Sequence, residues 1–175
     1  MIRAVVTGSE CTGKTTLAME LAEHYGSTVW VPEFVRQFVE AKGSAPEYAD
    51  VEAIARGQIA LEDRMTAKAG EVLIQDTDLL STLVYSQHYY GDCPKWIEAA
   101  LLKRAGDLYL LADIDVPWTA DRDQRDRGDR REEMHCLFRA ALEYRGLSFV
   151  ELHGSPRDRL DMALSQINRL LAEQS

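Results

Sequence analysis

The most informative residues form a short loop near the start of the chain, and their spacing matches G-x-x-x-x-G-K-[ST]. A β-rich run precedes the loop and a helical pattern follows it, which is the context that a phosphate-binding loop requires. Glycines let successive N–H groups turn toward phosphate oxygens, and the helix N-terminus adds partial positive charge. We expect Lys14 to reach the β- and γ-phosphates and the Thr15 hydroxyl to bind Mg²⁺. The residues predicted to bind a nucleoside triphosphate are Gly8, Ser9, Glu10, Cys11, Thr12, Gly13, Lys14, Thr15 and Thr16.

Three carboxylates stand where predicted strands end, at the edge where open α/β sheets bind ligands. Glu33 could accept the proton of an attacking hydroxyl or bind a sugar hydroxyl, and Arg36 could hold it or contact phosphate. A helix cap beside a surface arginine is the alternative. Asp76 is placed where P-loop proteins hold Mg²⁺, and Asp78 could meet the acceptor hydroxyl. Both aspartates could instead cap the following helix, a role compatible with catalysis. The residues leave open which carboxylate is the base.

Arginine and aspartate alternate almost without interruption from residue 121 to residue 131. Such a run is usually a solvated, ion-paired surface. In a small phosphotransferase it is typical of a lid, whose arginines close over the transferring phosphoryl group and neutralise its charge. We expect the lid to cover approximately residues 118–131, with Arg125 and Arg130 as its catalytic residues.

The turn after the last predicted strand and a group of aromatic residues are further candidates for ligand contacts. The turn contains Gly154 and Ser155 and is expected to lie against the base of the nucleotide, with an ordinary strand-to-helix turn as the alternative. Aromatic side chains could stack on a planar or cationic acceptor ring, although most helical aromatics belong to the core. We select Tyr85 and Trp118 for substrate binding from the set Trp30, Tyr85, Tyr89, Tyr90, Trp96 and Trp118.

The elements that must position these residues alternate along the chain as short apolar runs and longer amphipathic segments. Strands that are apolar on both faces indicate a parallel sheet covered by helices on each side, hence a three-layer α/β fold. The predicted strands are Ile2–Thr7, 28–32, 72–75, 108–114 and Phe149–Leu152. The predicted helices are 14–25, 50–69, Leu79–Tyr90, 94–104, 129–145 and 156–171, the last with Ser155 as its N-cap.

Length and charge restrict the classes of protein to which the chain can belong. Its 175 residues are the size of one domain, so residues 1–175 are expected to form a single unit. Asp and Glu outnumber Lys and Arg by 29 to 20, giving a net charge of −9, which argues against nucleic-acid or anionic membrane partners. Three cysteines without disulfide or zinc spacing favour the cytoplasm. Cys11 is interpreted as a small loop residue, with a reactive thiol as the alternative.

Together the motifs resemble the ribosylnicotinamide kinase domain of bacterial NAD-biosynthesis proteins and its stand-alone relatives. The matching segments are Gly8-Ser9-Glu10-x-Thr12-Gly13-Lys14, Glu33-Phe34-x-Arg36, Asp76-Thr77-Asp78, Pro117-Trp118 followed by Asp121, and Val150 to Arg159. The resemblance implies a P-loop nucleoside kinase that uses MgATP to phosphorylate the 5′-hydroxyl of nicotinamide riboside. It also implies a sheet of five parallel strands in the order 2-3-1-4-5.

On this interpretation each candidate residue has a role. The catalytic residues are Lys14, Glu33, Asp76, Asp78, Arg125 and Arg130. The metal-binding residues are Thr15 and Asp76, and the residues that bind the small-molecule nucleoside are Glu33, Arg36, Asp78, Tyr85 and Trp118. Gly154 and Ser155 join the nucleotide-binding set.

The chain also departs from the family pattern. After Pro117-Trp118 it reads Asp121-Arg122-Asp123-Gln124-Arg125, where family members often have Asp-Gly-x-Arg. Larger relatives carry a nucleotidyltransferase domain with an H-x-G-H signature, which this sequence lacks, and Met1 leads directly into the first predicted strand, so no preceding domain is expected. Two alternatives stay open: a P-loop kinase of another nucleoside or small acceptor, and a non-catalytic ATP-binding regulatory module. The sequence predicts no oligomeric state.

Overall fold

Four parallel strands form the central sheet of the computed structural model, which describes residues 1–26, 29–115 and 130–174. The strands are β1 (Ile2–Thr7), β2 (Val72–Asp76), β3 (Leu108–Ala112) and β4 (Phe149–Leu152). Their order in the sheet is β2-β1-β3-β4. Val6 near the end of β1 is paired with Asp76 on one side and Leu110 on the other, so the chain leaves these three strands at one common edge.

Seven α-helices of the described residues cover the two faces of this sheet. They are α1 (Lys14–His24), α2 (Phe34–Lys42), α3 (Val51–Thr66), α4 (Leu79–Tyr90), α5 (Lys95–Arg104), α6 (Arg131–Tyr144) and α7 (Pro156–Gln174). Alternate residues of each strand enter different cores, because side chains in a strand point to opposite faces. Val5 and Tyr109 belong to the core with α3, α4, α5 and α6, whereas Val6 and Leu110 belong to the core with α1 and α7. The predicted three-layer α/β architecture is confirmed.

The prediction of a fifth strand at 28–32 is wrong for the residues that the structure describes, and with it the order 2-3-1-4-5. Only Val31 pairs with the sheet, as an isolated parallel bridge to Gln75. Its N–H donates to the Ile74 carbonyl at 2.9 Å and its carbonyl accepts from the Asp76 N–H at 2.7 Å. The chain then leaves the sheet, because Glu33 is already the N-cap of α2. The remaining predicted strands keep their relative order.

Helix α2 is not among the predicted helix ranges, although the alternative interpretation of Glu33 as a helix cap implies a helix there. It contains no buried residue, and its N-cap, Glu33, makes no side-chain capping hydrogen bond, so the usual start signal is missing. Its end does carry a signal, because Gly43 adopts the left-handed conformation with φ of 73°. The other helices agree with the predicted ranges to within three residues at each end. No helix in the described ranges combines the length and the apolar character needed to cross a membrane.

Candidate nucleotide and acceptor site

The predicted phosphate-binding loop connects β1 to α1, and its two glycines have conformations that other residues rarely adopt. Gly8 has φ of 128° and Gly13 has φ of 79°. A Cβ atom on Gly8 would lie 2.9 Å from the carbonyl oxygen of Ala112, so this position has no room for a side chain. Gly13 is the N-cap of α1 and has no side chain that could accept a capping hydrogen bond. The first N–H groups of the helix are therefore left for an anion.

The side chain of Lys14 is buried within this loop. Its ammonium group donates to the carbonyl oxygen of Ser9 at 2.6 Å, and the hydroxyl of Thr12 donates to the same oxygen at 3.0 Å. Lys14 also lines a cavity of the described structure. The loop therefore presents one cation to the cavity, as a phosphate site requires, while Thr16 is exposed on α1.

Thr15 and Asp76, the two predicted metal ligands, are in contact. The Thr15 hydroxyl donates to Asp76 Oδ2 at 2.6 Å. Asp76 is 1% exposed, and its Oδ1 has no hydrogen-bond partner among the described residues. Burial raises the pKa of Asp76, nearby Glu33 raises it further, and Lys14 opposes both. A buried carboxylate oxygen without a partner, next to a hydroxyl, fits the hard oxygen ligands that Mg²⁺ prefers.

A protein cage for a metal is not found in the described residues, since no three His, Cys, Asp or Glu side chains are grouped for one. This agrees with the chemistry of Mg²⁺, which is usually held by one or two protein oxygens together with substrate phosphates and water. The pair Thr15 and Asp76 therefore fits a magnesium ion bound with a nucleotide.

Asp78 is buried at the start of α4, and both of its oxygens accept hydrogen bonds. Oδ1 accepts from the Leu80 N–H at 2.9 Å, and Oδ2 accepts from the Tyr109 hydroxyl at 2.6 Å. The predicted capping role is thus confirmed for Asp78, which lines the cavity as well. Burial raises its pKa to about 6, against the effect of these two hydrogen bonds.

Between the two aspartates, Thr77 has φ of 69°, a strained conformation for a β-branched residue.

Glu33 and Arg36 form the predicted pair at the start of α2. Arg36 Nε donates to Glu33 Oε2 at 3.0 Å, and the Arg36 side chain is 60% exposed whereas that of Glu33 is 15% exposed. Both residues line the cavity. Gln58 on α3, which the sequence did not indicate, accepts a hydrogen bond from the Phe34 N–H at 2.9 Å and so holds the start of α2.

One cavity of about 860 Å³ is lined by Lys14 of the phosphate-binding loop together with Glu33 and Asp78, whereas Asp76 is not among its lining residues. Three tyrosines of α4 lie on its wall, namely Tyr85, Tyr89 and Tyr90. The rings of Tyr85 and Tyr89 are stacked with centroids 6.0 Å apart. Other predicted aromatic candidates lie elsewhere: Trp30 packs against the core with α1 and α7, and the Trp96 ring lies under the Arg56 guanidinium at 4.6 Å.

The predicted lid enters the described residues only at its end. Trp118 and Arg125 lie outside the described residues. Arg130 is the exposed N-cap of α6. The next residue, Arg131, is 8% exposed, and its Nη2 donates to the carbonyl oxygen of Cys11 at 3.5 Å, so the last arginine of the predicted lid segment contacts the phosphate-binding loop.

Gly154 and Ser155 use their backbone N–H groups within the protein and are not among the residues that line the cavity. The Gly154 N–H donates to Asp115 Oδ2 at 2.5 Å, and the Ser155 N–H donates to Asp158 Oδ2 at 2.9 Å. The Ser155 hydroxyl accepts from the Asp158 N–H at 3.2 Å, which confirms Ser155 as the N-cap of α7. Their contact with a nucleotide base stays a prediction.

Arg159 on α7 is a buried site residue that the sequence reasoning missed. It donates to the carbonyl oxygen of Thr12 at 2.8 Å. The sequence contains a signal for the burial of Arg159, because this residue shares a helix face with Ala163 and Ile167, the other two buried residues of α7. The neighbouring apolar residues Leu160 and Leu164 are only partly buried.

Comparisons with known proteins agree with this geometry. A match to the protein family described as AAA domain covers residues 3–159 of the 175-residue chain. The chain therefore belongs to this family of P-loop domains, and its loop is of the nucleotide-binding type.

Two curated relatives are similar to nearly the whole chain, and both are named trifunctional NAD biosynthesis/regulator protein NadR. The protein of Escherichia coli (strain K12) is 28% identical over 177 residues, which is 97% of this chain and 42% of the relative. The protein of Salmonella typhimurium (strain LT2) is 27% identical over the same shares. The chain thus spans less than half the length of these relatives. The resemblance to bacterial NAD-biosynthesis proteins is confirmed.

Two solved structures show the same fold. A NadR protein in complex with NR matches with a TM-score of 0.73 at 23% identity, over 94% of this chain and 49% of that chain. The YorR protein from Bacillus subtilis, in complex with phosphorylated GDP, matches with a TM-score of 0.59 at 17% identity, over 98% of this chain and 97% of that chain.

Proposed function

We propose that this chain transfers the γ-phosphoryl group of ATP to the 5′-hydroxyl of nicotinamide riboside, producing nicotinamide mononucleotide and ADP. The observation that carries the proposal is the single cavity in which Lys14 of the phosphate-binding loop meets Glu33, Asp78 and Tyr85. The similarity to NadR, including a structure of a NadR protein with NR, supports nicotinamide riboside as the acceptor.

The charges of the cavity suit a cationic acceptor. Its carboxylate-bearing lining residues are Glu10, Glu33, Glu40 and Asp78, whereas its cationic lining residues are Lys14 and Arg36. The tyrosine rings of α4 offer faces on which a planar cation can stack. The net charge of −9 attracts such an acceptor over a longer distance.

In the proposed reaction, Lys14 binds the phosphates and stabilises the charge that develops on the transferring group. Thr15 and Asp76 would hold Mg²⁺, which when bound neutralises phosphate charge. Glu33, oriented by Arg36, accepts the proton of the acceptor hydroxyl. Asp78, fixed by the Leu80 N–H and the Tyr109 hydroxyl, orients that hydroxyl. Arginines of the 118–131 segment complete the site.

We further propose that residues 1–175 work as one kinase domain in a reducing, cytoplasmic compartment. None of its three cysteines, Cys11, Cys93 and Cys136, forms a disulfide within the described residues, which agrees with such a compartment. Its partners on this proposal are the nucleoside and the nucleotide.

The first test is a steady-state assay of ADP formation with MgATP and a panel of nucleosides. We expect turnover with nicotinamide riboside to exceed turnover with thymidine, deoxycytidine or adenosine. Lys14→Ala should lower kcat by about 100-fold or more, because it removes a cation from the transferring phosphate. Lys68→Ala, at an exposed position after α3, is the matched control and should be nearly as active as the wild type.

Other outcomes of this assay contradict the proposal in distinct ways. Thymidine as the best acceptor would indicate a kinase of another nucleoside. ATP binding without transfer to any acceptor would indicate a regulatory module. Near-normal kcat in Lys14→Ala would refute the assignment of the phosphate site.

A further inference from the structure

The guanidinium group of Arg159 is buried where three segments of the chain meet. Its side chain is 4% exposed. Nη1 donates to the Thr12 carbonyl at 2.8 Å, Nη2 to the Asp113 carbonyl at 2.9 Å and Nε to the Gly154 carbonyl at 3.2 Å. Nη2 also donates to the carboxylate of Asp115. Every nitrogen of the group is therefore engaged.

A buried guanidinium is stable only when its charge is paired and its donors are satisfied. Asp115 supplies the opposite charge, and the three carbonyl oxygens satisfy the remaining donors. Asp115 also accepts from the Gly154 N–H at 2.5 Å. Arg159 and Asp115 thus join the phosphate-binding loop to the end of β3 and to the turn before α7.

The contact with Thr12 fixes a peptide group at the centre of the phosphate-binding loop. A peptide is planar and trans, so the carbonyl of Thr12 and the N–H of Gly13 point in opposite directions. Because Arg159 holds that carbonyl on the side of α7, the Gly13 N–H faces away from Arg159. In a phosphate-binding loop this is the side on which successive N–H groups meet the ligand.

The preceding peptide is held in a similar manner. Its carbonyl belongs to Cys11 and accepts from Arg131 Nη2 at 3.5 Å, a longer contact than that of Arg159. Cys11 has φ of 55°, a conformation that residues other than glycine rarely adopt, whereas Gly13 adopts its φ of 79° without strain. External donors to these carbonyls therefore stabilise the shape of the loop.

We propose that Arg159 is a positioning residue of the nucleotide site, which orients the Gly13 N–H toward a bound phosphate and is itself oriented by Asp115. The inference rests on the proposed nucleotide-binding role of the loop and is independent of the acceptor. On this proposal Arg159 differs in role from the residues that bind the acceptor: its replacement weakens nucleotide binding and leaves acceptor binding unchanged.

The test is calorimetric titration of the whole chain with ADP and Mg²⁺ in the absence of any acceptor. We expect Arg159→Lys to weaken ADP binding about tenfold or more, since a single ammonium group cannot reproduce the hydrogen bonds of the planar guanidinium group. Asp115→Asn, which keeps the shape of the side chain and removes its charge, should weaken ADP binding about threefold to tenfold. Arg157→Met is the matched control, because Arg157 lies on the same helix, is 77% exposed and pairs only with Asp161 among the described residues. It should bind ADP as the wild type does.

Two further readouts distinguish positioning from general stability. In NMR spectra of labelled protein, the Gly13 amide proton should shift on addition of ADP in the wild type, and by a smaller amount in the Arg159 and Asp115 variants. In steady-state assays, KM for ATP should rise in both variants while KM for nicotinamide riboside stays the same.

The inference is overturned if both variants bind ADP with wild-type affinity and show the wild-type Gly13 shift. It is also overturned if both KM values rise together with a fall in melting temperature, because that pattern belongs to a structural role. If Arg159→Lys does not fold, Asp115→Asn decides the question alone. A wild-type chain that binds ADP but does not phosphorylate nicotinamide riboside refutes the proposed acceptor and not this role of Arg159.

Discussion

Asp76 combines burial, a hydroxyl neighbour and an oxygen without a partner among the described residues. A carboxylate that has lost its water is stabilised by a nearby cation, and Lys14 lowers the pKa of Asp76 in this way. The oxygen of Asp76 that has no partner among the described residues is therefore the natural ligand for the proposed Mg²⁺.

Asp76→Asn should raise the Mg²⁺ concentration for half-maximal activity about tenfold, because the amide loses the negative charge that attracts the ion. Activity is measured against Mg²⁺ at fixed ATP. Asp161→Asn, an exposed aspartate on α7, is the control and should follow the wild-type curve. An unchanged Mg²⁺ requirement in Asp76→Asn would remove Asp76 from the metal site.

At the scale of whole elements, α2 determines where Glu33 and Arg36 stand. The helix has no buried residue of its own and is held at its start by the Gln58–Phe34 hydrogen bond. The ring of Phe34 fills the space above Gly57 on α3, where an added Cβ would lie 2.0 Å from Phe34 Cε1. The absence of one side chain on α3 thus permits the position of α2.

Gly57→Ala should raise KM for the acceptor severalfold and leave KM for ATP unchanged. Alanine by itself favours a helix by about 0.5–1 kcal/mol over glycine, but the Phe34 ring must move to admit the new methyl group and carries the start of α2 with it. The two KM values are measured in the same assay. Gly70→Ala is the matched control, because a Cβ there meets nothing within 4 Å. Equal KM values in Gly57→Ala and wild type would show that the position of α2 does not limit acceptor binding.

Helices α3 and α5 share an ion pair in which Glu62 is buried and Arg104 is partly exposed. Glu62 Oε2 accepts from Arg104 Nε at 3.2 Å and from Nη2 at 3.1 Å. The pKa of Glu62 is raised to about 7, because burial and then the nearby charge of Asp78 raise it by more than Arg104 lowers it. The folded protein therefore holds a proton on Glu62 more tightly than the unfolded chain does.

The consequence is a stability that falls as pH rises. A raised carboxyl pKa contributes stability that is fully present below the unfolded value of 4.5 and is lost as pH rises through about 7. The change from Glu62 alone is on the order of 3 kcal/mol at most. We expect the free energy of unfolding, measured by urea titration, to fall between pH 5 and pH 8, with a smaller fall in Glu62→Gln. If the free energy of unfolding of Glu62→Gln fell with pH as steeply as that of the wild type, Glu62 would not be the source of the pH dependence.

For the molecule as a whole, the common edge of β1, β2 and β3 brings together segments that are distant along the chain. The phosphate-binding loop follows β1, and Asp78 follows β2. A ligand that binds across this edge therefore stabilises the native fold and has no comparable site on the unfolded chain.

We expect an MgATP analogue and, separately, nicotinamide riboside to raise the melting temperature. At a hundredfold excess over Kd the gain is about 2.7 kcal/mol, or about 5–10 °C for a domain of this size. Lys14→Ala should lose the shift with the analogue and keep the shift with the nucleoside. A larger shift with thymidine or adenosine than with nicotinamide riboside would assign the acceptor side to another nucleoside.

Local features were predictable because they depend on neighbours in the sequence. The phosphate-binding loop lies between a strand and a helix as its spacing predicted, and Ser155 caps α7 through Asp158, three residues away. Four of the five predicted strands exist, since each is a continuous apolar run. The prediction of a strand at 28–32 failed because the chain turns into α2 directly after the single bridge at Val31, a change of direction that the apolar pattern alone did not reveal.

The residues themselves determined a three-layer α/β chain with a nucleotide-binding loop and two aspartates after a buried strand, because spacing and apolar pattern act over a few residues. Only the tertiary structure decided that Arg159 supports Thr12, that Tyr109 holds Asp78, and that Gly57 admits Phe34. These pairs are separated by 147, 31 and 23 positions in the chain. Contacts of that kind form when the packed sheet and helices bring distant segments together, and no local pattern in the sequence records them.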